Sequence, residues 1–227
     1  MIDQRAFLLA TGLLIVIGVH AATGISNDEA GSGLRAAITR GSEFAVAELG
    51  KQNGFLGNAK VRIDLPDSLR KAEDAARKLG FGRQADELVD AMNYAAETAV
   101  VEAKPILINA AKKMSFKDAK DVLLGEQDAA TQYFKRTTSG ELTAKFLPVV
   151  KKATAKVQLA QKYNEFAGKA AKLGLMDGRD ADIDTYVTRK TLDGLFVMVA
   201  EQEKQIRSDP IGTGSSILKK VFGSIGK

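Results

Sequence analysis

The chain has 227 residues and a net charge of +5, with 45% hydrophobic and 27% charged residues, the balance of an ordinary globular protein long enough for one sizeable core. It has no cysteine, no tryptophan and a single histidine, His20, so disulfides, thiolate nucleophiles and thiolate ligands for a metal are excluded. The basic charge is mild and spread along the chain, with no dense Lys/Arg cluster interleaved with aromatics, which excludes nucleic acid as a partner and leaves a weak attraction to anionic membrane surfaces.

Residues 1–21 read as a signal peptide. Arg5 gives a weakly positive start, and the run from Ala6 to Val19 is an apolar core of about 14 residues, short of the roughly 20 that a spanning helix needs. Val19 and Ala21 put small side chains where a signal peptidase must accept them, and no cysteine follows to take a lipid. Export to the periplasm or beyond is therefore expected. Because His20 lies inside this leader, the processed chain has no imidazole for a Ser-His-Asp or Cys-His relay.

Ser26 or Asn27 opens the body. Leu34, Ala37, Ile38, Phe44, Ala45 and Leu49 form a helical stripe, broken at Gly41, up to Gly50. Asn53-Gly54-Phe55-Leu56-Gly57-Asn58 is a turn-rich loop, and the alternation from Val61 to Pro66 reads as one short extended segment lying across helices. Asp67 or Ser68 starts a helix that stops at Gly80. The next runs from about Gln84 to Lys104 with Leu88, Met92, Ala95, Ala96 and Ala99 inward, and Pro105 breaks it. Ser115 with Asp118 is a capping-box start for a helix ending at Gly125. Helices are expected over 128–137 and 140–146, and from Pro148 to Leu173, where Lys151, Lys162 and Lys169 share one face opposite Val150 and Ala153. Asp184 is expected to cap a strongly periodic helix reaching Arg207 through Leu192, Leu195, Phe196, Val199 and Ile206. After Pro210, Gly212 and Gly214, residues 216–225 form a short basic amphipathic helix that packs back on the rest.

The expected fold class is all-α: a single-domain irregular helical bundle of about eight to ten helices with one extended segment near residues 61–66. The signal peptide occupies 1–21, the bundle 22–210 and the C-terminal amphipathic helix 211–227.

Chemistry-bearing motifs are sparse. Gly80-Phe81-Gly82 and Gly212-Thr213-Gly214 lack the strand that a dinucleotide-binding turn requires, and no Walker pattern occurs. Asp180, Asp182 and Asp184 alternate like the first ligands of a calcium loop, but Thr185 stands where the turn glycine belongs and Thr191 where the closing glutamate belongs. The carboxylate pairs Asp86/Glu87 and Glu201/Glu203 read as solvated helix surface. No catalytic, cofactor-binding or metal residue is assigned. Tyr133, Arg136, Tyr163, Asn164, Tyr186, Arg189 and Asp193 are polar groups on otherwise apolar helices and form the candidate pocket. Gly194, inside the most periodic helix, costs about 1 kcal/mol relative to alanine, and either a close helix approach or a pocket would account for it.

Several of these segments resemble a bacterial family, domain of unknown function 4197. They are Asn53-Gly54-Phe55-Leu56 with Val61-Arg62-Ile63, Ala103-Lys104-Pro105-Ile106, Ala129-Ala130-Thr131-Gln132-Tyr133-Phe134 and Phe146-Leu147-Pro148-Val149-Val150. Tyr186-Val187-Thr188-Arg189-Lys190, Leu192-Asp193-Gly194-Leu195-Phe196 and Ile206-Arg207-Ser208-Asp209-Pro210 complete the set, in order, over about residues 26 to 224. The resemblance implies a helical exported protein and brings no activity or catalytic residues. The resulting expectation is a non-enzymatic periplasmic module that binds an envelope protein or an apolar small molecule between its helices. Two alternatives stand beside it. One is a histidine-independent enzyme using Tyr186, Arg189 and Asp193, which fall at helix-neighbour spacings. The other is a peripheral membrane-surface protein using its last helix.

Overall fold

A computed structural model describes residues 27–69, 74, 77, 78, 80, 82–155, 163, 164 and 182–209. The leader, Asp180, Lys162, Lys169, the hinge at 210–214 and the C-terminal helix lie outside the described residues, as do most of the helix expected over 67–80 and most of 156–181.

The described residues form six α-helices and one turn of 3-10 helix, Asp67–Leu69, with no strand among them. They are α1 (Asn27–Gly50), α2 (Gly82–Val100), α3 (Ala103–Lys113), α4 (Phe116–Leu124), α5 (Ala129–Thr154) and α6 (Ile183–Ser208). Helices α6 and α5 pack along each other, α2 lies against both, and α1 packs on α6 and α2. Helices α3 and α4 fit between α1 and α5. The all-α class holds, while the expected eight to ten helices are corrected to six among the described residues.

Within the described residues the miscount comes from α5, where parts of three expected helices form one. Thr137, Ser139 and Gly140 read as a break, yet the helix runs through them. Phe134, Thr138, Leu142 and Phe146 recur every four residues and are all buried, so tertiary packing overrides weak local propensity. The hydroxyls that would compete with the ladder are satisfied within it: Thr137 donates to Tyr133 O (2.8 Å), Thr138 to Phe134 O (2.7 Å) and Ser139 to Lys135 O (2.6 Å). Pro148 does not open a new helix but sits inside α5. It and Ala144, whose carbonyl it cannot bond, are both exposed, so water can take the orphaned acceptor. Gly41 is no break either. A Cβ there would lie 3.2 Å from Ile206 Cδ1, so the glycine lets α1 approach α6.

Other boundaries agree more closely. Leu88, Met92, Ala95, Ala96 and Ala99 all face the core. Pro105 falls in the first turn of α3, where its missing N–H is no loss, so α2 has already ended at Val100. The Ser115–Asp118 capping box is present in full, with Asp118 N to Ser115 Oγ at 3.1 Å and Ser115 N to Asp118 Oδ2 at 3.0 Å. The α6 cap is Asp182, whose carboxylate accepts from Thr185 N at 2.8 Å. Asp184 lies two residues on, within the first turn, and accepts from the hydroxyl of Thr154.

The segment at 61–66 crosses the helices without sheet partners. Val61 and Ile63 point inward and Arg62 and Asp64 outward, as the alternation requires. Its backbone is paired by a side chain instead. Fully buried Asn93 on α2 accepts from Ile63 N at 2.9 Å and donates to Ile63 O at 2.8 Å, which replaces the ladder a neighbouring strand would supply.

Candidate functional site: the groove between α5 and α6

Helices α5 and α6 run antiparallel. Thr131 near the start of α5 meets Glu203 near the end of α6, Lys135 lies over the ring of Phe196, and Thr154 meets Asp184 at the opposite end. On one side of this seam a groove of about 440 Å³ opens. Lys135, Ser139, Thr143 and Leu147 line it from α5, one per turn, and Thr185, Thr188, Arg189, Leu192, Asp193 and Phe196 line it from α6. The volume falls in the range of small-molecule sites.

Of the seven candidate pocket residues, the structure brings two into this groove, Arg189 and Asp193. Their side chains lie 4.0 Å apart, and the Arg189 guanidinium sits 5.4 Å from the centroid of the Tyr186 ring. The other five serve elsewhere. Tyr186 is buried and its hydroxyl donates to Asp64 O at 2.8 Å, bracing the 61–66 segment against α6. Tyr133 donates to Ala110 O at 3.1 Å and so closes the C-terminal end of α3, one of whose last four carbonyls this is. Burial pushes the Tyr133 phenol up, with Asp118 adding to the effect and Arg136 opposing it, so the hydroxyl stays a donor. Exposed Arg136 covers the Tyr133 ring at 5.8 Å. Asn164 accepts from Ile183 N at 2.9 Å, which satisfies the first amide of α6, and Tyr163 beside it is buried.

Two buried carboxylates went unrecognised in the sequence. Glu203, expected on a solvated face, is a correction: it is buried and accepts from Ala130 N, Thr131 N and Thr131 Oγ1, each at 2.9 Å. Asp128, the residue at the N-cap of α5, makes no side-chain cap bond, so Glu203 supplies the negative charge and acceptors that the helix start requires. Arg207 bonds Glu203 at 2.8 Å and donates to Val122 O at 2.8 Å, near the end of α4. One ion pair on α6 thereby closes the carbonyl end of α4 and the amide end of α5. Glu97 on α2 plays the matching role for the loop after α1. It accepts from Asn53 N (3.3 Å), Phe55 N (3.1 Å) and Leu56 N (3.3 Å), three amides that the left-handed turn at Asn53 (φ 61°) gathers into one concavity. Gly54 is required there, because a Cβ would meet Leu49 O at 2.4 Å. The sequence offered one clue: Asn93 and Glu97 are four apart on the inward side of α2.

Gly194 is settled as a close approach. A Cβ at 194 would lie 2.7 Å from Cε1 of fully buried Phe55 and 3.2 Å from Val61 Cβ. The surface carboxylates behave as expected: Asp86 pairs with Arg77 at 2.7 Å, Glu87 with Arg83 at 3.6 Å, and Glu201 with Lys60.

Thr188 differs from every hydroxyl above. It is 3% exposed, it belongs to the groove wall, and its Oγ1 has no hydrogen-bond partner. A buried hydroxyl left unpaired costs about 1–3 kcal/mol. Among the described residues no group of three or more His, Asp or Glu is placed to hold a metal ion, and no helix is long and apolar enough to cross a membrane.

No curated protein and no solved structure matches the chain. The family described as protein of unknown function (DUF4197) matches residues 24–223, and across that span lie the Asn53-Gly54-Phe55 turn, the Glu97 and Glu203 clamps and both walls of the groove. The chain belongs to the DUF4197 family.

Proposed function

We propose that the protein is a non-enzymatic, exported binding module that receives an apolar small molecule in the groove between α5 and α6. The observation that carries this reading is the groove itself. It is large enough for a ligand and walled in part by Leu147, Leu192 and Phe196, and a few polar groups converge on it. The enzymatic alternative loses support from the same geometry. Tyr186, its leading acid–base candidate, commits its hydroxyl to Asp64 O and does not line the groove.

The test is direct binding. N-phenyl-1-naphthylamine, a neutral apolar dye, is expected to bind saturably at one site per chain, and Leu147→Lys is expected to weaken it at least ten-fold while the helical spectrum is unchanged. Leu147 suits this purpose because it is only half-buried and stands outside the main core cluster. Native mass spectrometry of the purified protein with solvent extraction is expected to release a bound apolar molecule. A ligand-free protein that also ignores the dye overturns the proposal. Export rests on the leader pattern at residues 1–21, and the expected mature mass begins at Ala22. A processed form that retains His20 overturns that part.

A further inference from the structure

We propose that α4 is the docking surface for the chain's own tail, residues 216–225, which cover Phe116, Leu123 and Leu124. Helix α4 is turned the wrong way for an amphipathic helix on a core. It buries its two smallest apolar side chains, Ala119 and Val122, and leaves its three largest toward solvent. Leu123 is half-buried, Phe116 is 51% exposed and Leu124 is 62% exposed, more than any other large apolar residue among those described. Apolar side chains grouped this way on one short helix mark a contact surface.

Three features point to the tail as the occupant. The first is where α6 ends. Arg207 donates to Val122 O at 2.8 Å, so the chain leaves α6 at Ser208 beside the end of α4 that carries Leu124. The second is fit. Ile217, Leu218, Val221, Phe222 and Ile225 recur on one helical face, and ten residues of helix span about 15 Å against about 14 Å for α4. The third is charge. From Asp121 to Asp128 the chain holds three carboxylates and no Lys or Arg, while residues 210–227 hold Lys219, Lys220 and Lys227 and no Asp or Glu. Lys117 answers Asp121 at 2.8 Å, but Glu126 has no ion-pair partner among the described residues, so the attraction centres on the corner after α4. A second copy or a membrane would compete with a segment tethered by residues 209–215, at an effective concentration on the order of millimolar.

Because the chain has no cysteine, two introduced thiols test this cleanly. In the full processed chain, Leu124→Cys with Leu218→Cys is expected to be joined within one chain by a short bismaleimide at least about ten-fold faster than Asp193→Cys with Leu218→Cys, whose exposed α6 position an undocked tail would also reach. Equal rates for the two pairs overturn the proposal. Joining between chains overturns it and makes a second copy the occupant. Phosphatidylglycerol vesicles are expected to leave the cross-link in place, and vesicles that abolish it overturn the proposal in favour of a membrane. A second measurement needs no cysteine. Leu124→Lys is expected to lower the thermal midpoint of the full chain and to leave that of a chain ending at Asp209 unchanged, since only the first has a tail to displace. The same shift in both chains, or none in either, overturns the assignment.

Discussion

Gly140 and Gly194 both lie inside long helices, and the same substitution is expected to act on them in opposite directions. A Cβ at Gly140 meets nothing within 4 Å, so Gly140→Ala gains helix propensity alone and stabilises by about 0.5–1 kcal/mol. At Gly194 a similar gain is opposed by the Phe55 ring at 2.7 Å. That ring is fully buried and cannot swing away, so an overpacking cost of about 1–3 kcal/mol wins and Gly194→Ala lowers stability. Urea midpoints of the two variants test this, and two shifts of the same sign would count against the Phe55–Gly194 contact. Single residues were the scale at which the sequence was least informative about the site. The composition marked the seven polar residues as unusual, but whether a tyrosine hydroxyl braces a distant carbonyl or faces a groove depends on what lies opposite it. For Tyr186 that is Asp64, 122 residues away. Thr188 was missed altogether, since a threonine on a periodic helix has nothing local to set it apart.

At the scale of elements, local signals were legible and distant ones were not. The Ser115–Asp118 capping box, the inward face of α2 and the alternation at 61–66 all follow from neighbours in the chain. The cap also has a pH signature. The Ser115 hydroxyl and amide hold the Asp118 carboxyl below its ordinary value of 3.8. A depressed folded pKa gives stability that is present above 3.8 and is lost as pH falls through the lower folded value. Ser115→Ala is therefore expected to cost about 1 kcal/mol at neutral pH. The difference between the two chains is expected to shrink in acid below pH 3.8, which denaturant titrations at several pH values would reveal. The helix ends closed from afar were not legible, because no local window contains both Glu97 and Phe55, 42 residues apart, or both Glu203 and Ala130, 73 apart. Glu203→Ala leaves Arg207 without its buried partner and the start of α5 without a cap, so a loss of about 3–5 kcal/mol is expected. Its particular signature is faster hydrogen exchange at the amides of Ala130 and Thr131, while those of Phe55 and Leu56 keep their protection. Uniform acceleration would argue against a local clamp.

For the molecule as a whole, the secondary-structure class was the easiest property to read, and the number of helices was harder. An alanine-rich, cysteine-free chain with 3.6-residue periodicity has few alternatives to packed helices. Counting them required knowing that buried Phe134, Leu142 and Phe146 would hold α5 together across Thr137, Gly140 and Pro148, and that is a property of the assembled core. The core closes without covalent links, and several of the long-range polar contacts that fix it, those of Tyr186, Glu203 and Arg207, converge on α6.

That convergence sets an order of events. The first turn of α5 is unfinished until Glu203 reaches it, and the end of α4 until Arg207 does, so a chain emerging from synthesis cannot complete its bundle before residue 207 of 227. A protein truncated after residue 200 is expected to be protease-sensitive throughout instead of yielding a smaller folded piece. A nascent chain that stays open until residue 207 has been made also remains threadable, which the export proposed from the pattern of residues 1–21 would require.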